Sequence, residues 1–178
     1  MPSLFTNVVR RLILLCGIVL AGCTGLPKGV VPVDGFELER YLGKWYEIAR
    51  LDHAFERGLS RVTAEYELRD DGGIDVINRG YDVVSDSWKE AQGRAYFVTD
   101  PALGHLKVSF FRPFYSSYVI FELDKIGYRY AFVSGPDRDY LWLLSRTPEV
   151  EPALYERFVR RATELGFDTA GLIRVQQE

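Results

Sequence analysis

Cysteine is nearly absent from this sequence: of 178 residues only Cys16 and Cys23 are cysteine, and both precede residue 24. The body of the chain therefore has no thiol for a disulfide, a thiolate nucleophile or a cysteine metal site, and must stand on its own packing. Histidine is equally scarce. His53 and His105 lie about fifty residues apart without the close pair spacing of a metal site. No basic excess exists either, since 22 Lys and Arg meet 25 Asp and Glu for a formal charge of -3. A nucleic-acid surface, which needs a basic stripe, is excluded on that count. Also missing are a Gly-x-Ser-x-Gly elbow, a phosphate-binding glycine loop, internal repeats and low-complexity tracts. Paired acids such as Asp70-Asp71 fall in turns, where solvated carboxylates are the default. Catalysis is not expected, and no cofactor is called for.

What the sequence does have is apolar and aromatic material, 47% and 14% of residues, enough for one well-filled domain after a short leader. The leader spans residues 1–22. Arg10 and Arg11 precede Leu12-Ile13-Leu14-Leu15-Cys16-Gly17-Ile18-Val19-Leu20-Ala21, a basic start and an apolar run too short for a comfortable membrane span. This is the pattern of an export signal. Residues 24–33 carry Pro27, Gly29 and Pro32 without periodicity and read as an extended tether of about 30 Å.

The domain proper is expected over residues 34–178. Asp34 and Glu37 have capping-box spacing before a short helix, Phe36 to Tyr41, that ends at Gly43. The stretch Gly43-Lys44-Trp45-Tyr46-Glu47-Ile48-Ala49-Arg50 opens the first strand. Arg61 to Arg69 alternates, with Val62, Ala64, Tyr66 and Leu68 on one face. Asp70-Asp71-Gly72-Gly73 turns it into Ile74 to Tyr81, a hairpin. Further strands follow at Trp88 to Val98, Leu106 to Phe111, Tyr118 to Leu123, Tyr128 to Ser134 and Tyr140 to Arg146, making eight. In the fourth of these, Ala91, Gly93 and Ala95 let a ligand or a neighbouring backbone come close. Pro152 then opens a helix whose stripe is Leu154, Phe158, Ala162 and Leu165, with Gly166 as its cap and a short strand at Leu172 to Val175. Eight consecutive antiparallel strands and one outer helix fit an all-β, up-and-down closed barrel, which removes sheet edges and leaves room for one small ligand. A β-sandwich is the main alternative.

Strand parity nominates lining residues. Tyr66 shares a face with Val62 and Ala64; Trp142 shares one with Arg146; Phe97 and Tyr118 rest on parity alone. Glu122 has the parity of Tyr118, so either its carboxylate faces the interior or Val119, Phe121 and Leu123 do. Arg57 and Arg112, near strand ends, are candidates to meet an anionic head group at a mouth.

Several motifs resemble known families. Leu20-Ala21-Gly22-Cys23 resembles the lipobox of bacterial lipoproteins. The resemblance implies cleavage before Cys23, an S-diacylglycerol and N-palmitoyl group on that cysteine, and a membrane anchor held by three chains. Thr24 in place of an inner-membrane retention aspartate points to the outer membrane of a Gram-negative cell. Gly43-Lys44-Trp45 resembles the Gly-x-Trp motif of lipocalins, Gly135-Pro136-Asp137-Arg138-Asp139-Tyr140 their second block, and Arg146 the arginine that packs over the motif tryptophan to close the barrel floor. The resemblance covers residues 34–177, is strongest to bacterial lipocalins, and has apolipoprotein D as its most similar animal branch. It differs from many animal lipocalins in lacking disulfides. It implies an eight-stranded lipocalin barrel and supports Tyr66 and Trp142 as cavity residues. It also implies binding, storage or transport of fatty acids or lysophospholipids by equilibrium binding, in membrane maintenance or stress. Haem or another pigment, with His53 or His105 as ligand, is the alternative cargo; a homodimer is a further possibility left open.

Overall fold

In the computed structural model residues 24–178 are described; the expected signal peptide and the lipidated Cys23 lie outside them. Among the described residues a short helix, α1 (Leu38–Tyr41), precedes eight strands that follow one another around a barrel. These are β1 (Gly43–Arg50), β2 (Leu59–Leu68), β3 (Ile74–Asp82), β4 (Ser87–Phe97), β5 (His105–Phe111), β6 (Phe114–Leu123), β7 (Tyr130–Ser134) and β8 (Leu141–Ser145). Each is antiparallel to the next, and β1 pairs with both β2 and β8, so the sheet closes on itself. A helix α2 (Pro152–Glu164) packs outside, and β9 (Ile173–Arg174) adds to β1. Closure rules out the sandwich, because no strand edge remains for a second sheet.

Two apolar clusters take opposite faces of the same strands. Ala131 and Val133 belong to the inner cluster with Trp45, Tyr66, Ile74, Val76 and Leu144. Their neighbour Phe132 belongs to the outer one, with Val119, Leu143 and the α2 residues Phe158 and Ala162. This is period-two alternation, with the helix laid over the outward half of the wall.

Three local expectations change. The capping box does not form: Glu37 is the N-cap but its side chain caps no backbone N–H, and Asp34 pairs with Lys125 across the closed end. The tether is not free either. Val30 is buried, Val33 N–H donates to Ile120 O at 2.9 Å and Gly104 N–H to Val33 O at 2.9 Å, so the segment is zipped to the wall from Pro27 onward. The third change concerns Glu122. A bulge between Ile120 and Glu122 places Phe121 in the outer cluster, while Ile120 and Leu123 stay inside. Glu122 then faces α2, its Oε1 2.8 Å from Arg157 Nε. Neither parity alternative holds, because one extra residue resets the alternation midway along β6.

The small residues of β4 serve the neighbouring strand. A Cβ on Gly93 would stand 2.8 Å from Ser109 O and 2.9 Å from the Phe110 ring, whereas Ala91 is exposed.

Candidate functional site

The floor of the barrel is built from the first strand upward. Gly43 has φ +84°, a left-handed turn that a side chain would strain, and it aims Trp45 inward. Trp45 is fully buried and donates its indole N–H to Tyr41 O at 2.8 Å. Arg146 covers the ring from outside, its guanidinium carbon 3.9 Å from the centroid, and donates to Lys44 O and Arg40 O at 2.8 Å each. Burial lowers the Arg146 pKa, with Tyr41 and Tyr66 pulling the other way. Phe97 belongs to this end of the barrel, 6.0 Å from the Phe36 ring.

Above the floor three tyrosines share one hydrogen-bond chain. The Tyr118 hydroxyl lies 2.7 Å from those of Tyr41 and Tyr66. Burial pushes all three phenols well up, so they stay neutral hydroxyls and can serve as donors and acceptors. Tyr118, Ala64, Val108 and Trp142 pack against the inner cluster while remaining only partly buried. Inward-facing side chains that still meet solvent mean that the upper interior is open. Asn78 shares the inner face of β3 with Val76, and its Oδ1 is buried without a partner. It offers a buried acceptor on the inner face of the barrel.

At the mouth lies a group of charges that strand reading did not single out. Arg50 donates to Glu47 Oε1 at 2.7 Å and to the carbonyls of Glu56 and Leu59 at 2.8 and 3.1 Å, tying the 51–58 loop to the wall. Glu56 Oε2 lies 2.9 Å from His53 Nε2 and accepts from Trp142 Nε1 at 3.2 Å. Two carboxyls, one guanidinium and the His53 imidazole share this buried patch. Burial, and then the charge of Glu56, raise Glu47; for Glu56 the bond and charge of His53, with Trp142 and Arg50, outweigh burial and lower it. The available signal was Glu47, which has the parity of Trp45. A bulge between Glu47 and Ala49 then brings Arg50 back inward, which the alternation could not reveal.

The remaining candidates separate. Tyr66, Phe97, Tyr118 and Trp142 all join the inner cluster, at different heights. His105 sits on the outer wall, 3.2 Å from Ser117 Oγ, and so faces away from any pigment in the barrel. Arg57 is at the rim but engaged by Asp52 at 2.9 Å, and Arg112 is exposed in the β5–β6 turn. Among the described residues no group of three or more His, Cys, Asp or Glu has metal-holding geometry.

Comparison with known proteins places this geometry. The description "Lipocalin-like domain" matches residues 36–177. The outer membrane lipoprotein Blc of Vibrio cholerae is 61% identical over 166 residues, 93% of this chain and 97% of that protein. Its namesake in Escherichia coli K12 is 54% identical over 151 residues, 85% of each chain. Bovine apolipoprotein D is 29% identical over 67% of this chain and 65% of that protein. Among solved structures, insecticyanin from Manduca sexta superposes with a TM-score of 0.66 at 19% identity, over 85% of this chain and 86% of that one, which speaks to the fold alone.

Proposed function

The chain belongs to the lipocalin family, in the group that contains the bacterial outer membrane lipoproteins, and from that premise we propose that it carries single-chain lipids, fatty acids or lysophospholipids, in its barrel. It is an outer-membrane lipoprotein with a lipid-binding fold. The observation that carries the cargo reading is the set of inward aromatic and aliphatic residues, Tyr118, Val108 and Trp142 among them, that remain partly open to solvent above a sealed floor. Such a lining rewards an alkyl chain with about 0.8 kcal/mol per methylene, on the order of 12 kcal/mol for sixteen carbons before ordering and association costs.

Polar groups supply orientation. Arg112 at the rim can meet a phosphate or carboxylate outside, and the tyrosine chain and Asn78 Oδ1 offer donors and an acceptor deeper in the barrel. Binding is an equilibrium with no covalent step, and its biological setting is envelope maintenance or stress. Trp142, with its N–H held by Glu56, presents a fixed ring to the chain.

The test is native mass spectrometry of residues 24–178 after gentle purification. A retained fatty acid or lysophospholipid that is lost on Trp142→Ala, with the circular dichroism spectrum unchanged, is the expected result. A barrel that stays empty and refuses added lysophospholipid would sink the proposal.

A further inference from the structure

The docked N-terminal segment fixes where the anchor leaves the barrel. Lys28 O accepts from Arg138 Nη2 at 2.7 Å, and Arg138 Nε donates to Leu165 O at 2.7 Å. Arg138 lies in the turn between β7 and β8. That turn is at the open end, because its Tyr140 ring is 6.4 Å from Phe55 and 5.8 Å from His53 in the 51–58 loop. Val30 is held in the outer cluster and Pro27 is buried, so the chain has climbed the outside of the barrel from the floor to the rim before it is released. From Pro27 back to Cys23 is four residues, a leash of at most about 14 Å. The eleven residues of β4 span about 36 Å, more than twice that reach. The floor is therefore at the far end from the acylated residue.

The surface at that same end is apolar. Phe55, Val83, Val84, Phe111 and Phe114 occupy three of the four loops of the rim and all are exposed, Val84 to 91% and Phe111 to 81%. They come from sequence positions sixty residues apart, yet they share one end of the barrel. Apolar surface gathered in this way signals an interaction site, and the leash decides its occupant.

We propose that the barrel mouth docks on the bilayer that carries the anchor, with the rim of Phe55, Val83, Val84, Phe111 and Phe114 seated in the lipid interface. The inference rests on the reading of this chain as an anchored lipid carrier. In this arrangement a lipid tail moves between bilayer and barrel without crossing water, which every exposed methylene opposes. Acyl chains at Cys23 hold the rim at high local concentration over the surface, and the rim sets its orientation.

The test uses the full acylated chain in vesicles of phosphatidylethanolamine with a minority of phosphatidylglycerol. Both natural cysteines lie in the first 23 residues, so single substitutions Val84→Cys, Phe111→Cys and Ile126→Cys can each carry an environment-sensitive fluorophore. Ile126, 90% exposed at the closed end, is the control. The expected result is a blue shift and several-fold stronger quenching by nitroxide-labelled lipid at 84 and 111 than at 126. Equal quenching at all three positions, or none at 84 and 111, overturns the docking. Shielding at 84 and 111 that appears without vesicles and grows with protein concentration assigns the mouth to a second copy and overturns it too. Bound lipid in the mass spectrum together with labels in water defeats docking alone, whereas an empty barrel defeats the carrier reading. The double variant Val84→Asp, Phe111→Asp should keep its cargo when unanchored and should slow uptake of fluorescent lysophospholipid from vesicles by the anchored protein.

Discussion

Arg146 lies 3.9 Å over the Trp45 ring while its guanidinium ties the carbonyls of Lys44 and Arg40 together, so one side chain seals the floor and clamps α1 to β1. A cation–π contact of about 0.5–2 kcal/mol adds to charge-assisted hydrogen bonds. Arg146→Met should therefore destabilise by about 2–4 kcal/mol in urea titration, with Trp45 fluorescence shifting to the red. Arg146→Lys should recover only part, since an ammonium lacks the planar fork. An unshifted urea midpoint in Arg146→Met would mean that Arg146 does not clamp the floor.

Glu122 provides a check on the bulge. It faces Arg157 of α2 outside the barrel, in a half-exposed pair. Glu122→Gln should leave lysophospholipid affinity unchanged and alter stability by less than about 1 kcal/mol. A changed affinity would mean that the carboxylate reaches the cavity after all.

The tyrosine chain should behave as a unit. Tyr118→Phe keeps the ring but removes the hydroxyl between Tyr41 and Tyr66, at a cost of about 1–2 kcal/mol in stability. Chemical denaturation of the variant measures this directly, and an unmoved midpoint would mean that the hydroxyl chain adds nothing to stability.

The mouth charges predict a pH dependence. Burial first, and the Glu56 charge second, raise Glu47 above its ordinary value of 4.5. A group that binds more protons folded than unfolded makes stability fall as pH rises from that ordinary value toward the raised one. Glu56 has the opposite sign: its lowered pKa contributes stability above 4.5 that is lost as pH falls through the folded value. Glu47→Gln should flatten the decline in stability as pH rises above about 4.5 when urea midpoints are compared. An identical slope in wild type and variant would contradict a raised Glu47 pKa.

Gly93 and Ala91 contrast on one strand. Gly93→Ala pushes a methyl to 2.8 Å from a neighbouring carbonyl oxygen and should destabilise by about 1–3 kcal/mol, whereas Ala91→Ser should stay within about 0.5 kcal/mol. Thermal melts of the two variants distinguish them, and equal midpoints would place the strands further apart than described here.

Much of this protein was legible in its residue order. Alternation of period two marked the strands, the stripe Leu154, Phe158, Ala162 marked the outer helix, and Gly43, Trp45 and Arg146 marked the floor, because each signal is carried by residues close in sequence or by a motif. The inward sense of Tyr66, Tyr118 and Trp142 follows from the same alternation. Tertiary structure alone decided the rest. Bulges after Glu47 and after Ile120 reset the parity, which turned Glu122 outward and Arg50 inward. The Glu47, Arg50, His53 and Glu56 cluster forms only when the loop after β1 folds back over the mouth. A tether that reads as loose from Pro27 and Pro32 is held by Arg138, more than a hundred residues away. Which end of a barrel meets the membrane depends on such distant pairings, and a local pattern carries no record of contacts that closure of the sheet creates.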